Sequence, residues 1–173
     1  MAIVERSTEL RLPTVAVPVR LALVGREPMT ADLFIADVAR SGRSQLLDDI
    51  AALLDQATGF LPVRDAAGVR LLAKHAILWL GVDRHDDDDG ELDLDFPDIP
   101  SEVITLYDRQ HRVEVALVTG TKLVGMLLDS SPADRTRVVD HLNRPGAFVR
   151  LWTTDEHVLI NKTQILHVTE TGE

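Results

Sequence analysis

One internal match constrains the fold of this 173-residue chain more than any other feature. Residues 43–80 align with residues 131–168 without a gap, and the apolar positions keep their register along the alignment. Identical pairs include Leu54 with Leu142, Phe60 with Phe148, Leu71 with Leu159, Lys74 with Lys162 and Ile77 with Ile165. Self-similarity of this kind is typical of one supersecondary unit that occurs more than once. We therefore predict an internal duplication.

The second copy shows the local pattern clearly. Apolar residues alternate through 113–117, a turn follows at Thr119-Gly120, and the alternation resumes over 123–127. This pattern predicts an antiparallel hairpin with one buried face. A capping segment at Ser130–Pro132 and an apolar stripe over 138–142 predict a short helix. Three more strands are predicted at 148–152, 158–161 and 164–168.

The first copy repeats this order of elements. The hairpin is predicted at 19–24 and 33–38, the helix at 44–57, and the last strands at 60–63, 69–73 and 76–82. Phe60 and Phe148 each begin a third strand, so we expect both to be buried against the preceding helix. The sequence thus predicts an α+β fold, mainly β, made of two repeated five-stranded small barrels with one short helix each.

The charge of the chain indicates where the two units are joined. Nearly all of the net charge of −10 lies in residues 83–100, where nine acids face Arg84 alone. Such a run repels itself and remains solvated. We therefore predict a first barrel unit at 1–82, an acidic linker at 83–100 and a second barrel unit at 101–173.

Parts of both copies resemble the Sm/Lsm family of small barrels. The hairpin at 113–129, with Gly125 inside its second strand, is similar to the first Sm motif. Residues 69–80 and 157–168 resemble the second motif, and Lys74-His75-Ala76-Ile77 is similar to the Lys-His-Ala-Ile of the bacterial Sm-like RNA chaperone. The resemblance implies a tandem Sm-like protein with a helix inserted between strands two and three.

The same resemblance implies RNA contacts from Lys74, His75 and Lys162. The chain departs from the family in several ways, because Sm proteins carry their helix before the first strand and this first copy has no glycine in its curved strand. Proteins that bind single strands also present a basic groove and aromatic platforms. Here the first unit is neutral and the second is slightly acidic. Sm-like RNA binding is therefore kept as the alternative function.

Motifs for catalysis or for cofactor binding are not found in the sequence. It contains no glycine-rich phosphate loop, no nucleophile elbow and no cysteine. We expect no enzymatic activity, no catalytic residue, no cofactor and no metal site. No apolar run is long enough to span a bilayer and the N-terminus lacks an apolar signal segment, which predicts a cytoplasmic protein without membrane contact.

The leading hypothesis from the sequence is a protein-interaction or scaffolding module with a regulatory role. Small barrels leave strand edges open, and open edges pair with neighbouring strands. We expect a protein partner, or self-association, through these edges. A second candidate partner surface is the group of arginines around the second helix, which comprises Arg135, Arg137, Arg144 and Arg150.

Overall fold

The structure, a computed structural model, describes residues 13–39, 43–83, 109–129 and 137–171. Its strands and helices overlap the predicted positions, although the two strands of the first hairpin begin five and four residues earlier than predicted. In chain order they are β1 (Thr14–Leu23), β2 (Met29–Ala36), α1 (Arg43–Asp55), β3 (Phe60–Asp65), β4 (Gly68–Ala73), β5 (Ile77–Asp83), β6 (Arg109–Leu117), β7 (Lys122–Asp129), α2 (Val138–Leu142), β8 (Phe148–Trp152), β9 (Glu156–Asn161) and β10 (Ile165–Glu170). Two 3₁₀ turns, Lys74–Ala76 and Lys162–Gln164, connect β4 to β5 and β9 to β10.

The prediction of two closed five-stranded barrels is wrong. All ten strands form one open antiparallel sheet in the order β10-β6-β7-β8-β9-β5-β1-β2-β3-β4. The reason lies in β5, which pairs with β1 on one side and with β9 of the other half on its second side. The backbone N–H and C=O groups of β5 are therefore hydrogen-bonded to β1 and β9, so β5 cannot also pair with β4 to close a barrel. Among the described residues, β4 pairs only with β3 and β10 only with β6, so these two strands are the edges of the sheet.

The two halves of the sheet share one pairing pattern. The matching pairs are Leu21–Leu80 with Val115–Val168, Asp32–Arg64 with Met126–Trp152, and Phe60–Ala73 with Phe148–Asn161. The ladders of the last strands also skip one residue each, Leu78 in β5 and Leu166 in β10. We call two residues at equivalent ladder positions counterparts. The duplication inferred from the sequence stays a prediction, as do the unit boundaries, and all of the predicted linker except Asp83 lies outside the described residues.

Two apolar clusters form the core of the part of the chain that the structure describes, and each contains residues from both halves. The first cluster is built from the first half and includes Leu159 of β9. The second is built from the second half and includes Ala22, Leu78 and Trp79. Since side chains alternate across a strand, the β5–β9 ladder is covered by one cluster on each face. This junction between β5 and β9 therefore joins the halves through shared burial as well as through backbone pairing.

The expected burial of Phe60 is wrong. Its side chain is 61% exposed, because the alternation along β3 directs Leu61 and Val63 into the core and Phe60 outward. Phe148, its counterpart, is partly buried against the first cluster. Matching positions in the two halves can thus have different surroundings, and the difference depends on which strands lie next to them.

Candidate interaction surfaces

Lys74 has a structural role at the end of α1. It begins the first 3₁₀ turn, and its buried ammonium donates to the carbonyl oxygens of Leu53 at 2.8 Å and Gln56 at 3.0 Å and to the Thr58 hydroxyl at 3.3 Å. Carbonyls in the last turn of a helix lack helical partners, so a lysine stabilises them. Burial lowers the pKa of Lys74, and the nearby Asp55 opposes this shift. The three donors of this ammonium all have acceptors within the protein.

Lys162 makes a comparable contact in the second half. Its ammonium donates to the carbonyl oxygen of Arg144 at 2.6 Å, just beyond the end of α2. Burial lowers the pKa of Lys162, Arg144 lowers it further, and Asp55 raises it. Each lysine thus connects a 3₁₀ turn to the segment that follows a helix.

The two 3₁₀ turns lie side by side at the junction. The Gln164 side-chain amide donates to the His75 carbonyl at 2.8 Å, and the buried Asn161 amide donates to the Ile77 carbonyl at 3.0 Å. The structure therefore brings together the residues that the Sm-like resemblance links to RNA. Of these residues, His75 has an exposed side chain, whereas the ammonium groups of Lys74 and Lys162 contact main-chain oxygens.

The described arginines of the predicted partner surface lie in different surroundings. Arg135 lies outside the described residues. Arg137 and Arg144 flank α2 and are exposed. Arg150, on β8, forms an ion pair with Asp48 of α1 at 2.6 Å, and its side chain is mostly buried. This last arginine connects the two halves of the molecule, so it is not freely available to a partner.

The strongest candidate surface lies at the two edges of the sheet. Large apolar side chains are most exposed at Phe60, Val69, Leu71 and Leu166 among the described residues. Val69 and Leu71 are on edge strand β4, Leu166 is on edge strand β10, and Phe60 is on β3 directly beside β4. An unpaired edge with apolar side chains can accept a further strand.

These edge residues were not singled out in the sequence, although a signal for them exists. The strands β5 and β9 have nearly continuous apolar runs, ILWLGV and HVLI, which indicate burial on both faces. The corresponding segments GVRLLA and ILHVTE contain charged or polar residues between their apolar ones. This contrast distinguishes the junction strands from the edge strands.

Two other kinds of site are absent from the described ranges. No group of three or more histidine, aspartate or glutamate side chains there is arranged to hold a metal ion. In the same part of the chain, no helix is long and apolar enough to cross a membrane.

Comparison with known proteins does not assign a family. No protein-family model, no curated protein and no solved structure matches the chain. The resemblance to the Sm/Lsm family therefore stays an expectation from the sequence, and function has to be inferred from the geometry of the sheet.

Proposed function

We propose that this protein is a non-enzymatic interaction or scaffolding module that binds protein partners by adding a strand at the sheet edges β4 and β10. The observation that supports this most is the exposure of Val69, Leu71 and Leu166 on strands whose outer side has no neighbouring strand among the described residues. A regulatory role and a cytoplasmic location stay predictions from the sequence.

The composition of the edge strand β4 favours binding over protection. Proteins commonly protect a free edge with lysine, proline or an inward-pointing charge. The only charged residue of β4 is Arg70, and it forms an ion pair at 2.9 Å with Asp65, the last residue of β3 in the same hairpin. Val69 and Leu71 are left on the surface beside the unpaired backbone. Strand addition would satisfy that backbone and cover these two side chains.

Sm-like RNA binding remains the alternative, and the side-chain contacts count against it. A phosphate contact needs a positive side chain that faces the nucleic acid. The ammonium of Lys74 is buried and has three protein acceptors, and that of Lys162 contacts the Arg144 carbonyl. Of the three candidates, His75 alone belongs to the exposed residues.

Partner capture with edge variants tests the proposed function. Tagged wild-type chain and a tagged double variant, Leu71→Lys with Leu166→Lys, would be incubated with an extract of the source cells that also contains untagged chain. Val124→Lys is the matched control, because Val124 is exposed but lies on the internal strand β7. We expect mass spectrometry to find a protein retained by the wild type and by Val124→Lys and lost with the double variant. Equal retention by all three, or no retained protein, would contradict the proposal.

A further inference from the structure

We infer that the partner of edge β4 is edge β10 of a second copy of this chain, an inference that rests on the proposed function. The junction inside each chain provides the structural precedent. There β9 pairs antiparallel with β5 from Trp79–Ile160 to Asp83–Glu156. By the shared pairing pattern, β4 is the counterpart of β9 and β10 is the counterpart of β5. The two edge strands are thus the counterparts of the two strands that pair at the junction, and within one chain neither edge strand has the corresponding partner.

The leucines on the edge strands are exposed, whereas their counterparts at the junction are buried. Leu159 on β9 is 2% exposed and belongs to the first cluster, whereas its counterpart Leu71 on β4 is 69% exposed. Leu78 on β5 is 5% exposed and belongs to the second cluster, whereas its counterpart Leu166 on β10 is 66% exposed. At the junction, each leucine is buried by the other half of the chain. A second copy would supply the same cover at the edges.

The junction also predicts the register between two copies. The internal pairs Trp79–Ile160, Leu80–Leu159 and Val82–His157 correspond to His167–Leu72, Val168–Leu71 and Glu170–Val69. Register decides which face each side chain occupies. In this register Leu71 would pack on the second cluster of the neighbouring copy, and Leu166 would pack on the first cluster of the copy that offers β4.

The space around one glycine supports the same register. At the junction, a Cβ atom on Gly81 would lie 2.8 Å from the Glu156 carboxylate, so the glycine leaves room for that side chain. The counterpart of Gly81 is Thr169, and the counterpart of Glu156 is Gly68. Between two copies, the Thr169 side chain on β10 would therefore face Gly68 on β4. At the junction the glycine is on β5 and the facing side chain is on β9, so the roles of the two strands are exchanged. Gly68 has open space where a side chain would lie.

Pairing of β4 with β10 is heterologous, because the two surfaces differ. Each added copy then offers the same free edge as the one before it. Contacts of this type produce closed rings or open filaments. A symmetric contact between two β4 edges has no equivalent at the junction, so we expect head-to-tail assembly.

The test uses light scattering on size-exclusion fractions of the purified chain at about 100 μM, where an interface of micromolar Kd is occupied. We expect the wild type and Val124→Lys to have masses above the 19.1 kDa of one chain. Leu71→Lys and Leu166→Lys should each have the mass of one chain. Far-UV circular dichroism checks that each variant is folded. If Leu71→Lys is unfolded, Leu71→Thr takes its place, and if Leu166→Lys is unfolded, Leu166→Thr takes its place.

Mixing the two edge variants gives the sharper result. Leu71→Lys keeps an intact β10, and Leu166→Lys keeps an intact β4, so an equimolar mixture should form a complex of two chains that grows no further. A wild type with the mass of one chain would overturn the inference, and so would a mixture in which both variants stay single.

Failure of this inference can be told apart from failure of the proposed function. If the purified wild type is a single chain but an extract protein is still captured in an edge-dependent way, the second copy is the wrong partner and the interaction module stands. If neither assembly nor edge-dependent capture is seen, both are wrong. Assembly that persists in Leu71→Lys and in Leu166→Lys would place the contact elsewhere and overturn this inference.

Discussion

Leu71 and Leu159 occupy counterpart positions in one sheet, yet Leu71 lies open on edge β4 and Leu159 is enclosed at the β5–β9 junction. The two residues have the same side chain and pair with equivalent strands on one side, β3 and β8. They differ on the other side, where β5 covers Leu159. The exposure of Leu71 therefore reflects a missing neighbour strand.

Alanine substitution at Leu159 should lower the free energy of unfolding much more than alanine substitution at Leu71. Leu159→Ala leaves a cavity in the first cluster and should lower the free energy of unfolding by about 2–5 kcal/mol. Leu71→Ala should lower it by less than about 0.5 kcal/mol, because an exposed side chain loses little. Both would be measured by urea denaturation in the Leu166→Lys background, which removes any contribution from assembly. Similar losses at the two positions would show that β4 is not a free edge.

Gly125 and its counterpart Ala31 should differ in how much stability a substitution costs. A Cβ atom there would overlap the Trp152 carbonyl oxygen and lie 2.8 Å from Leu151 Cγ. Gly125→Ala should therefore cost about 1–3 kcal/mol through overpacking. The counterpart Ala31 already carries a methyl group, and Ala31→Gly should cost only about 0.5–1 kcal/mol. Thermal unfolding of both variants checks the order, and a larger loss for Ala31→Gly would contradict it.

Lys74→Met tests the role of the buried lysine. The substitution leaves the Leu53 and Gln56 carbonyls without their donor and should cost about 1–3 kcal/mol at pH 7. His75→Ala, an exposed neighbour, should change stability by less than about 0.5 kcal/mol. Equal effects of the two substitutions would remove the assigned capping role.

The pH dependence of the Lys74→Met effect has a definite sign. Burial lowers the pKa of Lys74 from its ordinary value of 10.5, so the unfolded chain binds more protons than the folded chain between the two pKa values. The free energy of unfolding contributed by Lys74 then rises with pH through that window. Urea denaturation of wild type and Lys74→Met at several pH values up to 10.5 should show a growing difference. A difference that shrinks with rising pH would contradict the lowered pKa.

RNA binding should be weak. Lys74 and Lys162 direct their charges to main-chain oxygens, so two of the three residues that the resemblance links to RNA already have acceptors within the protein. Fluorescence anisotropy with a labelled oligo-uridine should show no binding below about 10 μM at physiological salt. Submicromolar binding that weakens in His75→Ala and Lys162→Ala would instead support the Sm-like alternative.

Local patterns in the sequence predicted the elements but not their long-range pairing. Alternation over 113–117 and the apolar stripe of the first helix gave strands and a helix close to their observed bounds. Closure into barrels was wrong, because periodicity does not say which strand lies beside β5. Phe60 was misplaced because a shift of one residue along a strand reverses its side chains.

The candidate site was only partly accessible to sequence reasoning. Lys74 and Lys162 align between the two copies, but the acceptors of Lys74 are Leu53 in α1 and Gln56 and Thr58 just beyond it, which only the folded chain brings near the lysine. The edge leucine Leu71 could not be distinguished from Leu159 by alignment, since the two residues are identical. Their difference depends on the strand order across the sheet.

Register-specific cross-linking between two copies tests the central claim most directly. The chain has no cysteine, so Val69→Cys in one copy and Glu170→Cys in another introduce the only thiols. Directly opposed residues on antiparallel strands are close enough for a disulfide to be formed with small adjustments. Thr169→Cys, whose side chain lies on the other face of β10, is the matched control.

Under mild oxidation, an equimolar mixture of Val69→Cys and Glu170→Cys should give a two-chain band on a non-reducing gel, and the mixture of Val69→Cys with Thr169→Cys should give far less. Equal cross-linking of both mixtures, or a two-chain band only from Val69→Cys with itself, would contradict the pairing of β4 with β10.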